Sequence, residues 1–395
     1  MSEIGLAKRK KGATQMTTEV LRPEKSQIGE TSEHHLTLNM GPQHPSTHGV
    51  LRVVVKLDGE TVVDAQPVLG YLHRCHEYIY ERLTFPQIIP FTDRADYLGA
   101  IACEQMIVEA VEKAMGIEVP ERGQYLRVLN NELQRIISHM LWWGTSALDL
   151  GAFTPFLYAW RDRERALDLF EKSTGARLLY NYLRIGGVRN DLPDSWFAEL
   201  ERYLDYVERE ALPQYWNLLI KNKIFQLRTQ GIGVVDRETA LAFGASGPVA
   251  RASGIPFDVR KTFPYSIYDR FEFDVPLGEH GDVYDRARVR LLEISESIKI
   301  IRQVLDQIPD GPVMGKVPRA IRPPKGEFYH AVEGPRGEYA CHIVSQGTTN
   351  PYRFRWKTPD FVNLQLLPTM VRGKKVADIV ACISSIDPVM GSVDK

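Results

Sequence analysis

The stretch LRVLNNELQRIISHM, residues 126–140, sets the fold class. Its apolar residues Leu126, Leu129, Leu133, Ile136, Ile137 and Met140 recur at steps of three and four, so they share one face of a helix, and that face needs a core to pack against. The same period runs over about 97–116, 158–183, 195–223 and 284–307, punctuated by Arg184-Ile185-Gly186-Gly187 and Asp191-Leu192-Pro193. Together these segments predict a bundle of long helices in the middle of the chain.

Outward from the bundle the period changes. Leu51, Val53 and Val55 alternate before Asp58-Gly59, with Val62 and Val63 beyond, which predicts a β-hairpin turning on residues that tolerate positive φ. After Pro309, Glu327 to Val332 and Tyr339 to Val344 flank the turn Gly334-Pro335-Arg336-Gly337 and predict a second small sheet. Val376 to Ile386 then reads as a buried helix running into Asp387-Pro388. The expected class is α+β, a central long-helix bundle with small peripheral antiparallel sheets. Residues 1–33 are polar and aperiodic, an extended or disordered arm; 34–95 form a small β region carrying a polar loop; 96–307 are the bundle; 308–395 are a C-terminal α/β region. No internal repeat is present.

With 44% hydrophobic and 25% charged residues, the 395-residue chain has an ordinary globular composition. Lys plus Arg (49) nearly cancel Asp plus Glu (50), so no overall field favours nucleic acid, and none is expected as a partner. Cys75, Cys103, Cys341 and Cys382 lie far apart with no CxxC pair, so the chain is expected to hold no metal and to keep its thiols reduced. A bilayer span needs roughly 18 apolar residues; Ile136 to Leu148 is shorter and contains His139, so no crossing is expected. The basic run Lys8 to Lys11 is followed by no apolar segment and reads as a solvated tail, not a secretory signal. Neither a dinucleotide fingerprint nor a Walker loop nor a GxSxG elbow is present.

Three places could carry chemistry. The loop GPQHPSTHG at 41–49 has two histidines four apart, but Pro45 argues against the uninterrupted helix that would turn both onto one metal. The imidazoles could cap backbone groups or donate protons. Tyr97, in Asp93-Arg94-Ala95-Asp96-Tyr97 at the start of the first long helix, could be a half-buried anchor or an acid. Asp149 ends an apolar helix and needs either a cationic partner or a neighbouring helix to cap.

Read as motifs, these stretches resemble the quinone-site subunit family (the D subunits) of proton-translocating NADH:quinone oxidoreductases, respiratory complex I. The resemblance is carried by GPQHPSTHGVLR at 41–52, GYLHR at 70–74, DRADY at 93–97, NELQRIISH at 131–139, LDLGAFTPF at 148–156, YNYLRIGGV at 180–188, RASG at 251–254, FDVPLGEHGD at 273–282 and DFVNLQLLP at 360–368. They stand in one collinear order from about residue 36 to the end. The resemblance implies a fold like the large subunit of nickel-iron hydrogenases. Hydrogenases hold their metals with two cysteine pairs, whereas Val389 and Ser392 stand here at C-terminal thiol positions, so the scaffold is implied without its metal centre.

What the resemblance implies about function is specific. Quinone is the substrate, not covalently bound, and its site is shared with a neighbouring iron-sulfur subunit (the B subunit) that supplies the iron-sulfur cluster. His48 and Tyr97 match the two headgroup-contacting positions and Asp149 the carboxylate paired with that histidine. His44 matches the first histidine of the quinone-site loop, and Arg74 a basic position near the terminal cluster. The two rings would hydrogen-bond the quinone oxygens as electrons arrive, and Asp149 would favour the charged imidazolium. The implied setting is the cytoplasmic side of the inner membrane, peripheral, with the B, C and I subunits of the peripheral arm and the membrane-embedded H subunit as partners. Activity is expected only within the multi-subunit enzyme, where it couples to proton translocation. Alternatives are the same subunit in a complex with another electron donor, or a hydrogenase-like subunit lacking its metal. Cys75, His76 and Tyr78 depart from the family's HRG-x-EK pattern, and Cys75 reads as a packed thiol.

Overall fold

The helix predicted around residues 126–140 runs from Glu121 to Asp149. At about 1.5 Å per residue its 29 residues span roughly 43 Å, enough to traverse the whole core. Leu126, Leu129, Leu133, Ile136 and Met140 are all fully buried on it. The Ala100–Met115, Phe153–Thr174 and Val283–Gln307 helices pack alongside, giving the bundle that the period implied. Asp282 caps the last of these by accepting from the Asp285 amide at 2.8 Å.

This is a computed structural model describing residues 35–395; the arm expected over 1–33 and the Lys8 to Lys11 run lie outside the described residues. The described part is α+β, mostly helical, with three small sheets. Strands Arg52–Asp58 and Thr61–Val68 pair antiparallel around Gly59, whose φ of 58° is the left-handed turn geometry expected there. Val53, Val55 and Leu57 point inward from alternate positions and pack with Ile379, Ile383 and Ile386 of the Val376–Ile386 helix. Strands Gly326–Gly334 and Gly337–Ser345 pair antiparallel through the predicted turn, and Arg353–Lys357 adds a third strand.

The helical period overruns the structure in one place and misses elements in another. The helix expected to reach residue 183 stops at Thr174, where Gly175 adopts a φ of 79° and closes the last turn. Beyond it, Leu179 and Asn181 also have positive φ, and the chain enters a short two-stranded pairing of Leu183–Arg184 with Gly187–Val188. Within the stretch read as β, residues 76–80 and 85–93 are helical. The helical run from Asp194 holds as far as Ile220, but two of its segments, Val207–Ala211 and Trp216–Ile220, are π-helical.

Two apolar cores result, one among the bundle helices and one between the hairpin and the C-terminal helix, and Leu150 touches both. Asp149 directly precedes Leu150 in the chain. Among the described residues no helix is long and apolar enough to cross a membrane.

Candidate functional site

The loop at 41–49 is held by its own residues. Gly41 has a φ of 82°, and a side chain there would collide with the Leu51 carbonyl, so the entry turn requires glycine. Pro45–Thr47 form one tight helical turn. His44 caps it: its Nδ1 accepts from the Ser46 amide at 3.2 Å, and its carbonyl accepts from the Thr47 hydroxyl at 2.9 Å. His44 thus adopts the backbone-capping geometry and is exposed.

His48 does something different. It closes the turn at a φ of 49°, in the left-handed region, and this swings its ring toward the long helix. There its Nε2–H donates to Oδ2 of Asp149 at 3.0 Å, with side-chain exposures of only 14% and 10%. The hydrogen-bond partner of the Asp149 carboxylate is thus the imidazole, 101 residues away in sequence.

Tyr97 lies in the turn between the Phe85–Asp93 and Ala100–Met115 helices. Its ring is 39% exposed, yet enough of it is sunk among protein atoms that burial raises the phenol above its ordinary range, with nearby Arg336 opposing and Asp96, Asp387 and Asp360 adding to the rise. It stays a protonated donor at neutral pH. Tyr97 directly follows Asp96, and Arg336 pairs that carboxylate at 3.2 Å, so the phenol sits next in sequence to a buried charge cluster.

That cluster is what residue-level reading missed. Arg336, fully buried, sits among three buried carboxylates: Asp96 at 3.2 Å, Asp360 at 3.4 Å and Asp387 at 3.4 Å. Its Nε also donates to the Asp387 carbonyl at 3.0 Å. Asp360 accepts from the Val389 amide at 3.0 Å and the Ser392 hydroxyl at 2.5 Å, so the C-terminal Val389–Ser392 turn is tied to a buried carboxylate. Burial raises Asp360 to about 7 and raises Asp387 too, in both cases against the pull of Arg336. Among the described residues no group of three or more His, Cys, Asp or Glu is arranged to hold a metal ion.

The C-terminal segment locks these pieces together. A side chain at Gly391 would strike the Ala95 carbonyl at 2.4 Å and approach Arg74, and Gly49 faces Met390. Asp394 accepts from the amides of Gly70 and Leu72 at 2.9 and 2.8 Å, and the His73 Nδ1–H donates to its carbonyl at 2.9 Å. Arg74 is exposed and donates to the Arg94 carbonyl at 3.1 Å, beside the Tyr97 turn.

The departures at 75–78 are also placed. Cys75 is exposed, which corrects the expectation of a packed thiol, and its φ of 57° lies in the left-handed region that favours glycine. His76 is buried against the Tyr80 hydroxyl at 3.0 Å, and burial lowers it to about 4, so it is neutral.

A family profile described as the 49 kDa subunit of respiratory-chain NADH dehydrogenase matches residues 149–395. The chain is 53% identical over 376 residues to the second NADH-quinone oxidoreductase D subunit of Symbiobacterium thermophilum, covering 91% of this chain and 98% of that protein. It is 51% identical over 360 residues to the NADH-quinone oxidoreductase D subunit of Geobacillus kaustophilus and 49% identical over 360 residues to that of Bacillus cytotoxicus, with the same coverage.

Proposed function

This chain belongs to the 49 kDa subunit family of respiratory-chain NADH dehydrogenases, and from that premise we propose that it forms, with an adjacent iron-sulfur subunit, the site at which a quinone is reduced. The observation that carries the reading is the His48–Asp149 pair, an imidazole held at 3.0 Å by a largely buried carboxylate that directly precedes Leu150, a residue packed against both cores.

Reduction of a quinone adds two electrons and two protons to its paired carbonyl oxygens. Electrons come from the neighbouring subunit's cluster, and this chain supplies the donors. Tyr97 donates its phenolic hydrogen bond to one oxygen, and His48 donates to the same or the opposite oxygen, stabilising the negative charge as it develops. Asp149 holds the imidazole in orientation and stabilises its cationic form. When His48 gives up its proton, Asp149 is left as an uncompensated carboxylate in a half-dry site, and this local charge change is the step through which reduction couples to proton translocation elsewhere in the enzyme. His44 shapes the loop, and Arg74 braces the Tyr97 turn from outside. The B, C and I subunits of the peripheral arm, and the membrane-embedded H subunit at the channel entrance, are the proposed partners.

The test is His48→Ala in the assembled enzyme. Quinone reduction is expected to fall by about tenfold or more, with NADH oxidation by an artificial acceptor unchanged. An unaltered quinone affinity and rate would sink the assignment. A second variant probes the scaffold. Gly391→Ala forces the Ala95 carbonyl to move, two residues before Tyr97, and quinone turnover per assembled enzyme is expected to drop by about tenfold through misplacement of the phenol. Steady-state rates normalised to assembled enzyme check this, and a normal rate would mean the turn tolerates the shift.

A further inference from the structure

The helix ends on either side of Tyr97 bury a second pair of acids. Asp93 closes the Phe85–Asp93 helix, Glu104 lies early in the Ala100–Met115 helix, and both are fully buried. One oxygen of each is committed to the backbone of the segment that stopped short of being helix. The Asn181 amide donates to Asp93 Oδ2 at 3.0 Å, and the Tyr182 and Leu183 amides donate to Glu104 Oε2 at 2.9 and 2.6 Å. The other two oxygens, Asp93 Oδ1 and Glu104 Oε1, are buried without a hydrogen-bond donor among the described residues, and the successive amides of residues 181–183 bring the two side chains together.

Among the described residues no cation forms a salt bridge or hydrogen bond with either carboxylate. Arg94 donates to the Pro90 carbonyl, and Arg184 donates to the Asn181 side chain and the Leu183 carbonyl. The remaining ionisable neighbours, the phenols of Tyr80, Tyr180 and Tyr182 and the thiol of Cys103, are all raised by burial and stay neutral; Arg163 stands beyond Tyr180. Two acceptor oxygens facing each other in a dry site repel unless a proton lies between them.

We propose that Asp93 and Glu104 share one proton across these facing oxygens, and that the bonded pair is a positioning element which pins the Asp93–Tyr97 turn to the 179–183 segment and so fixes the phenol. The inference rests on the reading of Tyr97 as a quinone donor. Leu179 and Asn181, at φ of 60° and 45°, show that the segment is held in a conformation its side chains disfavour, and the amides that hold it end on this pair.

The sign of the pH effect follows. Burial raises Glu104 to about 7, and burial together with the facing Glu104 raises Asp93 above the ordinary carboxylate range. The shared proton is therefore bound on the acid side and lost as pH rises through that region, leaving two buried anions that push the turn away from its anchor.

Glu104→Gln tests this in the assembled enzyme, because its amide accepts from the same backbone groups and donates across the pair without a titratable proton. The ratio of its quinone-reduction rate to that of the unsubstituted enzyme is expected to be near one at roughly pH 6 and to climb by about threefold or more by roughly pH 8.5. A flat ratio overturns the proposal. If Glu104→Gln does not assemble, Asp93→Asn is read the same way, and failure of both to assemble also overturns it, since an amide should replace the shared proton. Tyr97→Phe run alongside separates the two claims. A flat ratio beside a crippled Tyr97→Phe removes the pair alone, whereas a fully active Tyr97→Phe removes the phenol's role and this proposal with it.

Discussion

Tyr97→Phe should assemble normally and reduce quinone about a hundredfold more slowly, the scale expected when a single donor to a developing oxyanion is removed. The reasons for expecting intact assembly are local. Among the described residues no protein group hydrogen-bonds the Tyr97 hydroxyl, so deleting it orphans no partner, and the ring's packed portion is unchanged. The reasons for expecting a large loss of rate are chemical. Burial keeps the phenol protonated, so at neutral pH its hydroxyl retains a proton to donate to a quinone oxygen. The loss should appear in turnover more than in affinity, because the bond strengthens as charge builds on the quinone oxygen. Rates of NADH-driven quinone reduction over a range of quinone concentrations check it, and full turnover in the assembled variant would remove Tyr97 from the mechanism.

How far the sequence could carry this depended on the kind of signal. The bundle was legible because Leu126, Leu129, Leu133 and Ile136 repeat at the helical step, and every one of them is buried where that step places it. The end of the Phe153–Thr174 helix was not, because an apolar run continues past Gly175 while the backbone amides of 181–183 are taken up by Asp93 and Glu104, residues about 80 positions earlier. The same limit governs the site. Spacing left His48, Tyr97 and Asp149 each with a bland reading, and only the collinear motifs favoured the functional one. Arg336 read as part of a turn, and Asp387 as the end of a helix. A charge cluster assembled from residues 96, 336, 360 and 387 has no period to detect, and a buried arginine is visible only once the chain has folded round it.

That arginine gives the largest expected effect on the protein itself. Arg336→Met should strongly destabilise the protein near neutral pH, since it leaves Asp96, Asp360 and Asp387 buried together with no contacting cation among the described residues. Removing one partner from a buried ion pair costs about 3–5 kcal/mol, a large part of the roughly 5–15 kcal/mol that holds a domain folded. Arg336→Lys should rescue only partly, because an ammonium cannot reach three carboxylates and the Asp387 carbonyl as the planar fork does. The pH dependence distinguishes lost charge from lost packing. Asp360 is already raised to about 7 and Asp387 is raised, so their folded forms bind protons more readily than the unfolded chain does, and stability is lost as pH rises through that region. Without Arg336 both shift further up, so the variant's deficit should be smallest at roughly pH 6 and grow toward roughly pH 8. Thermal inactivation of the two forms across that range measures it. A variant as stable as the unsubstituted protein at the alkaline end would mean that the three carboxylates are not held by this guanidinium.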